Sequence, residues 1–197
     1  MAEAVLSREE RKLQTRAAII DAAAGLFAKH GIEATSLDRI AGTLGLTKGA
    51  VYSTFASKEE LIDAVGQSRT LLIDPQPLFR ADLTLRDGLR ALAKDFLALR
   101  PKMTREILFL ELEMFLYAER HARWGRRELR IAREGRREAA AQLAAVAAQR
   151  GEDLPMPAED FFVALEALIM GIAREQFRDP GSISDASIER LIVGLAG

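Results

Sequence analysis

An all-α fold of about nine helices, with a small N-terminal unit over residues 1–56 and a larger helical domain over 57–197, is predicted from three features of the chain. Residues 35–60 spell a short helix, a tight turn, a second short helix and the capped start of another. From residue 84 onward apolar side chains recur at helical spacing almost without break. Between the periodic stretches stand the breakers His30-Gly31, Asp74-Pro75-Gln76-Pro77, Arg100-Pro101, Gly151 with Leu154-Pro155-Met156-Pro157, and Asp179-Pro180-Gly181. No internal repeat or low-complexity linker interrupts this order.

Composition bounds the rest. A hydrophobic content of 49% is ample for a core, while Lys+Arg 28 against Asp+Glu 29 leaves the chain close to neutral, and residues 1–60 are balanced too. An electrostatic footprint for an acidic partner must therefore come from the arrangement of charges. No cysteine occurs, which excludes disulfides and thiolate metal sites. No apolar run approaches the ~20 residues needed to span a bilayer, and the N-terminus is polar. The expectation is a soluble cytoplasmic protein without a membrane contact, a signal peptide or a cofactor.

Taken in order, Met1 to Glu10 read as a frayed arm, and a helix from about 11 to 29 turns Ile19, Ile20, Ala23, Leu26 and Phe27 inward. Gly31 stops it, and His30 stands as a partner for its C-terminal dipole. Thr35-Ser36 caps the next helix, whose Leu37, Ile40, Ala41 and Leu44 share a face. Gly45 supplies the left-handed turn, Leu46 plugs the angle, and Thr47 caps a helix reaching Thr54 with Val51, Tyr52 and Phe55 as its apolar stripe. Ser57 and Glu60 form a capping box for the helix carrying Leu61, Ile62, Val65, Leu71 and Leu72. Beyond a loop to about Leu83, Thr84 caps a helix with Leu85, Leu89, Leu92, Phe96 and Leu99 on one face. The stretch 103–117 is apolar nearly all round, which predicts a helix buried on most sides. The long segment 120–150 sets Trp124, Ile131, Ala132, Ala139, Leu143 and Val146 opposite Arg123, Arg126, Arg127, Arg130, Arg133 and Arg137. Two helices, 158–178 and 184–196, complete the chain.

The second helix of the 35–60 stretch is small and polar away from its stripe: Lys48, Gly49, Ala50, Ser53 and Thr54. Nothing bulky blocks approach to a groove, as a recognition helix requires. Thr47, Lys48 and Tyr52 suit phosphate or base-edge contacts. Lys58, in a first helical turn, opposes the macrodipole preference, and a nearby phosphate would relieve the mismatch. With Thr35 and Ser36 at the preceding cap, these residues form the candidate DNA-binding set.

The run GIEATSLDRIAGTLGLTKGAVYSTFASKEEL resembles the N-terminal DNA-binding signature of the tetracycline-repressor-like (TetR) family of bacterial regulators. The likeness covers about the first third of the chain and rests on A-T-S-x-x-x-I-A, G-L-T-K-G-A-V-Y and F-x-S-K-E-E-L together. One position departs: where the family often has His before the motif's Phe, this chain has Thr54, a shorter hydroxyl at an expected phosphate contact. The resemblance implies a homodimer on a near-palindromic double-stranded DNA operator and a small-molecule effector bound by the C-terminal helices.

For the effector, Glu113 and Tyr117 are candidate polar anchors in a cavity lined by Phe96, Phe109, Met114, Trp124, Phe162 and Met170. The plainer alternative pairs Glu113 with a surface arginine and leaves the aromatics as core. For the dimer, Phe162, Leu165, Leu168, Ile169, Ile172, Ile188, Leu191, Ile192 and Leu195 would form an isologous four-helix interface, with Gly171 permitting close approach; otherwise these stripes complete the protomer core. Glu119, Glu128, Glu134 and Glu138 among the arginines read as helical ion pairs on a solvated face, and His121 shows no partner in the sequence. Catalysis finds no H-E-x-x-H, G-x-S-x-G or Gly-rich phosphate loop. A ligand-responsive transcriptional regulator, acting as a repressor, is expected; a constitutive DNA-binding protein is the alternative, and an enzyme a distant third.

Overall fold

The structure, a computed structural model, describes residues 7–69, 74–100 and 104–197. Among these are nine α-helices and no strand: α1 Arg8–His30, α2 Leu37–Thr43, α3 Lys48–Tyr52, α4 Lys58–Arg69, α5 Leu85–Leu99, α6 Arg105–Arg120, α7 Ala122–Arg150, α8 Ala158–Arg178 and α9 Asp185–Val193. The chain divides into two compact units, one containing α1 to α4 and α6, the other α5 and α7 to α9. By proximity, then, α4 and α6 group with the first three helices, although both follow residue 56. Leu71, Leu72, Pro101 and Met103, all used in the sequence reading, lie outside the described residues, as do the first six.

In the first unit α1 is the buttress, packing against α2, α4 and α6. It buries Ile19, Ala23, Ala24, Phe27 and Ala28 along one stripe. Its start corrects the expected arm through Glu10. Ser7 Oγ accepts from the Glu10 N–H at 3.2 Å and the Glu10 carboxylate accepts from the Ser7 N–H at 2.7 Å, so the helix begins at Arg8. These bonds hold the Glu10 carboxyl below its ordinary pKa. At the other end Gly31, with φ +86°, donates its N–H to Phe27 O at 2.8 Å and turns the chain out of the helix.

Helix α6 departs from expectation. Its apolar sequence predicts burial on most sides, yet only Leu110 and Tyr117 are buried, while Phe109, Leu112, Phe115 and Leu116 are exposed. Its packing in this unit is confined to one stripe, and an apolar composition all round does not create partners for the remaining faces.

The second unit has a conventional helical core. Leu89, Leu92 and Phe96 of α5 meet Leu143 of α7, Phe161 and Ile172 of α8, and Ile188 and Ile192 of α9. Thr84 caps α5, accepting from the Asp87 N–H at 3.0 Å, and Glu152 accepts from the Leu85 N–H at 3.0 Å. Ahead of α5 a 3-10 turn, Gln76–Phe79, buries Leu78. It lies so close to α5 that a Cβ on Gly88 would stand 2.8 Å from Pro77 O. The Arg150 side chain, 4% exposed, donates to Leu78 O at 2.9 Å and to Arg80 O, tying the turn to the end of α7.

On α7 the buried residues are Trp124, Ala140, Leu143, Val146 and Ala147. Ile131 and Ala132, expected inward, are exposed. Its arginines pair sparsely along the helix, Arg130 with Glu134 at 4.0 Å, while Arg136 and Arg137 reach Glu166 and Glu159 of α8.

Candidate nucleic-acid interface

The α2–turn–α3 segment is built by caps more than by burial. Ser36 Oγ accepts from the Arg39 N–H at 3.2 Å, fixing the start of α2, whose Leu37, Ile40 and Ala41 face inward. The helix closes through Gly45, φ +64°, while the Leu46 N–H reaches back to Ala41 O at 2.9 Å, a Schellman closure. Thr47 Oγ1 then accepts from the Ala50 N–H at 3.2 Å and starts α3. Of the five residues of α3 only Val51 is buried. Phe55, just beyond, is fully buried, and the Arg16 guanidinium sits 4.7 Å from its ring centroid.

What remains outside is a compact polar face. Lys48, Gly49, Tyr52 and Ser53 are exposed and Ala50 and Thr54 half-buried. Tyr52 is 48% exposed, and no heavy atom lies within 4 Å of where a Gly49 Cβ would be. The hydroxyls of Ser53 and Thr54 both donate to Ala50 O, at 2.9 and 3.0 Å. Lys48 Nζ is 2.6 Å from Asp38 Oδ2, and that hydrogen bond and charge raise the lysine's pKa.

Two expected contacts have other employment. Thr35 is 0% exposed and donates its hydroxyl to Gly31 O at 2.8 Å, so it cannot meet DNA; it fixes the loop entering α2. Lys58 donates to Glu33 O at 3.2 Å, and burial lowers its pKa despite Glu33 and Glu59 nearby. The Ser57 capping box is also shifted. Ser57 Oγ accepts from the Glu60 N–H at 3.1 Å, but the Glu60 carboxylate takes the Ala56 N–H at 2.7 Å.

The loop 31–33 is gripped from α6. Glu113 accepts from the Ile32 N–H at 3.2 Å, and His121 Nε2 lies 3.2 Å from Glu33 Oε1 with its ring 4.0 Å from that of Tyr117. Burial, then Glu59, Glu33 and Asp63, push the Tyr117 hydroxyl pKa up. His121 thus has the partner the sequence did not reveal, and Glu113 serves a backbone amide in place of a surface arginine. His30 ends α1 as expected from the sequence; desolvation, then Arg39 and Lys29, lower its pKa, and Arg39 NH2 lies 3.0 Å from its Nε2.

The eight candidate pocket residues do not share a unit. Phe109, Glu113, Met114 and Tyr117 belong to the first, where Met114 Cε reaches 3.1 Å from the Cβ position of Gly66. Phe96, Trp124, Phe162 and Met170 belong to the second. There Phe96 and Trp124 are buried, Phe162 packs edge-on to Phe161 at 5.7 Å, and Met170 is half-buried. The candidate dimer set needs correction. Leu165, Ile169, Ile172, Ile188 and Ile192 are consumed by the protomer core, with Phe162, Leu168 and Leu195 packed against it. Only Leu191 is exposed, joined by Val163, Ala167 and Gly171 along the outer stripe of α8.

With this geometry in place, the profile of "Bacterial regulatory proteins, tetR family" matches residues 19–65, spanning the buttress, the turn and the capped start of α4. Residues 19–65 of this chain thus carry a TetR-family head. Among its TetR relatives, the HTH-type transcriptional regulator SrpR of Pseudomonas putida is 46% identical over 56 residues, 28% of this chain and 26% of that one. The A-factor receptor protein of Streptomyces griseus is 35% identical over 69 residues, 35% of this chain and 25% of the receptor. This chain therefore spans only about a quarter of the length of each. The crystal structure of NalD, the secondary repressor of the MexAB-OprM multidrug efflux pump in Pseudomonas aeruginosa, superposes with a TM-score of 0.66 at 26% identity, covering 93% of this chain and 96% of NalD. The family profile covers residues 19–65 of this chain, while the likeness to NalD extends over 93% of it. No helix among the described residues is long and apolar enough to cross a membrane.

Sequence reasoning missed three contributors, Asp38, Glu33 and the Ser7 capping box. The last was readable, since Ser7-Arg8-Glu9-Glu10 has the same spacing as Ser57-Lys58-Glu59-Glu60. The other two act across a turn or across 88 residues of chain, and no helical period reports such pairs.

Proposed function

We propose that this chain is a homodimeric transcriptional repressor that sets α3 of each protomer into successive major grooves of a near-palindromic operator and is released by a small molecule. The observation that carries the proposal is the exposed face of α3, where a capped five-residue helix presents Lys48, Gly49, Tyr52 and Ser53 with one buried residue behind them. Thr47, Ala50, Thr54 and Ser36 flank that face, and the head corresponds to residues 1–56. A five-residue helix anchored by Val51 and Phe55 reaches outward without loss of its own footing.

Residues 57–197 supply the dimer and the effector site. The inferred dimer surface is the outer stripe of α8, Val163, Ala167 and Gly171, with Leu191 of α9; small side chains there permit close helix approach. Effector binding shifts the population toward a head spacing that no longer fits DNA, by its differential affinity for the two states. NalD is a repressor and the A-factor relative a receptor, and both names favour a ligand-released repressor over a constitutive binder. The protein would act in the cytoplasm, where the DNA is.

Selection from a random duplex library tests the proposal. An inverted repeat with half-sites about 10 base pairs apart, centre to centre, is expected, with gel-shift binding weakened by Lys48→Ala and by Tyr52→Ala. No enrichment, or a monomer by sedimentation at micromolar concentration, overturns it.

A further inference from the structure

The segment 31–60 contains three cationic side chains, Arg39, Lys48 and Lys58, and each is already engaged. Arg39 NH2 lies 3.0 Å from His30 Nε2, whose lowered pKa favours the neutral ring, and Lys58 donates to the Glu33 carbonyl at 3.2 Å. Lys48 alone has an anion as its bonding partner, Asp38 at 2.6 Å. It is also the only cation on α3. Both members of the pair are more than half exposed, so the pair faces the solvent from which DNA would approach.

We propose that Asp38 is an affinity-setting residue, holding Lys48 in an ion pair that must be exchanged for a phosphate when α3 meets DNA. The inference rests on the assignment of α2 and α3 as the DNA-binding head. The physical consequence concerns ions. A lysine that neutralises a phosphate releases a counterion from DNA, which gives a slope of about −0.9 per contact in log K against log salt. When that lysine first abandons a carboxylate, the carboxylate regains a cation and the release cancels. The wild-type head therefore gains little in ion release from Lys48, and the Asp38 carboxylate stays beside the polyanion. Asp38 thereby keeps backbone binding to arbitrary DNA weak and leaves occupancy to base contacts.

Because the effect is on backbone affinity, no operator is needed to test it. The probe is a fluorescent mixed-sequence duplex of about 30 base pairs, titrated by anisotropy between about 50 and 200 mM KCl, the range over which phosphate contacts dominate. Asp38→Asn is expected to bind several-fold more tightly than wild type at the lowest salt, and to steepen the salt slope by about 0.9 per head. Lys48→Ala is expected to leave the salt slope close to that of wild type, because the pair already cancels this lysine's ion release. Asp38 also sits in the first turn of α2, so a purely structural role predicts a lower melting temperature and weaker binding. The sign of the affinity change separates the two roles. Wild type that binds while Asp38→Asn binds no more tightly, or with an unchanged slope, sinks this inference alone. No binding by wild type or either variant at the lowest salt sinks the DNA-binding reading with it.

Discussion

The head around α3 and the bundle around α5 hold their shapes by different means. Between Ser36 and Phe55 order comes from side-chain caps, a left-handed glycine and a few buried residues, and α3 buries Val51 alone. In the bundle, Phe96, Phe161, Leu89, Leu92, Ile188 and Ile192 are almost wholly inaccessible and interlock across three helices. A segment held by caps can leave its outward face to a partner. A bundle held by burial spends its apolar residues internally, which is why most of the stripe expected at a dimer interface is found inside the protomer.

Substitutions test that contrast from the largest effect to the smallest. Phe96→Ala removes a ring from the bundle core and is expected to cost about 3–5 kcal/mol by thermal or denaturant unfolding; a loss under 1 kcal/mol would show that the bundle is not held by burial. Gly88→Ala places a methyl 2.8 Å from Pro77 O and is expected to cost about 1–3 kcal/mol as the 3-10 turn is displaced. In the head, Thr35→Val leaves Gly31 O without its hydroxyl donor, and a loss of about 1 kcal/mol is expected with little change in side-chain volume.

The smallest effect depends on pH. The His30 pKa is lowered from the ordinary 6.5 in the folded chain, so the unfolded chain binds more protons as pH falls through that value. Stability must then fall with pH. His30→Gln is expected to show a smaller drop in melting temperature between about pH 7.5 and 5.5 than wild type; an unchanged drop would show that desolvation and Arg39 do not lower the pKa of this ring.

What the sequence revealed follows the same division. Local chemistry was legible: Ser36, Thr47 and Thr84 cap where their hydroxyls precede an apolar period, and Gly31 and Gly45 stop helices where only positive φ closes the turn. The Ser7 box is equally local, but the polar residues around it have the composition of a frayed arm. Long-range use of a side chain was not legible. Nothing near Thr35 in sequence says that its hydroxyl turns inward to Gly31 O, nor near Glu113 that it serves the Ile32 amide 81 residues away. Apolar periodicity likewise identifies the inward stripes of α8 and α9 without saying whether a partner or the protomer fills them, and for Ile188 and Ile192 the protomer does.

One paired measurement bears most directly on the claim that the head is shaped by caps so that its face is free for DNA. Tyr52→Ala is assayed for operator affinity and for melting temperature on the same preparation. Tyr52 is 48% exposed and lies outside the core, so the account predicts at least a roughly tenfold loss of affinity, the ~1–3 kcal/mol of a specific contact, with a stability change within about 0.5 kcal/mol. A variant that melts well below wild type yet binds the operator undiminished would contradict it.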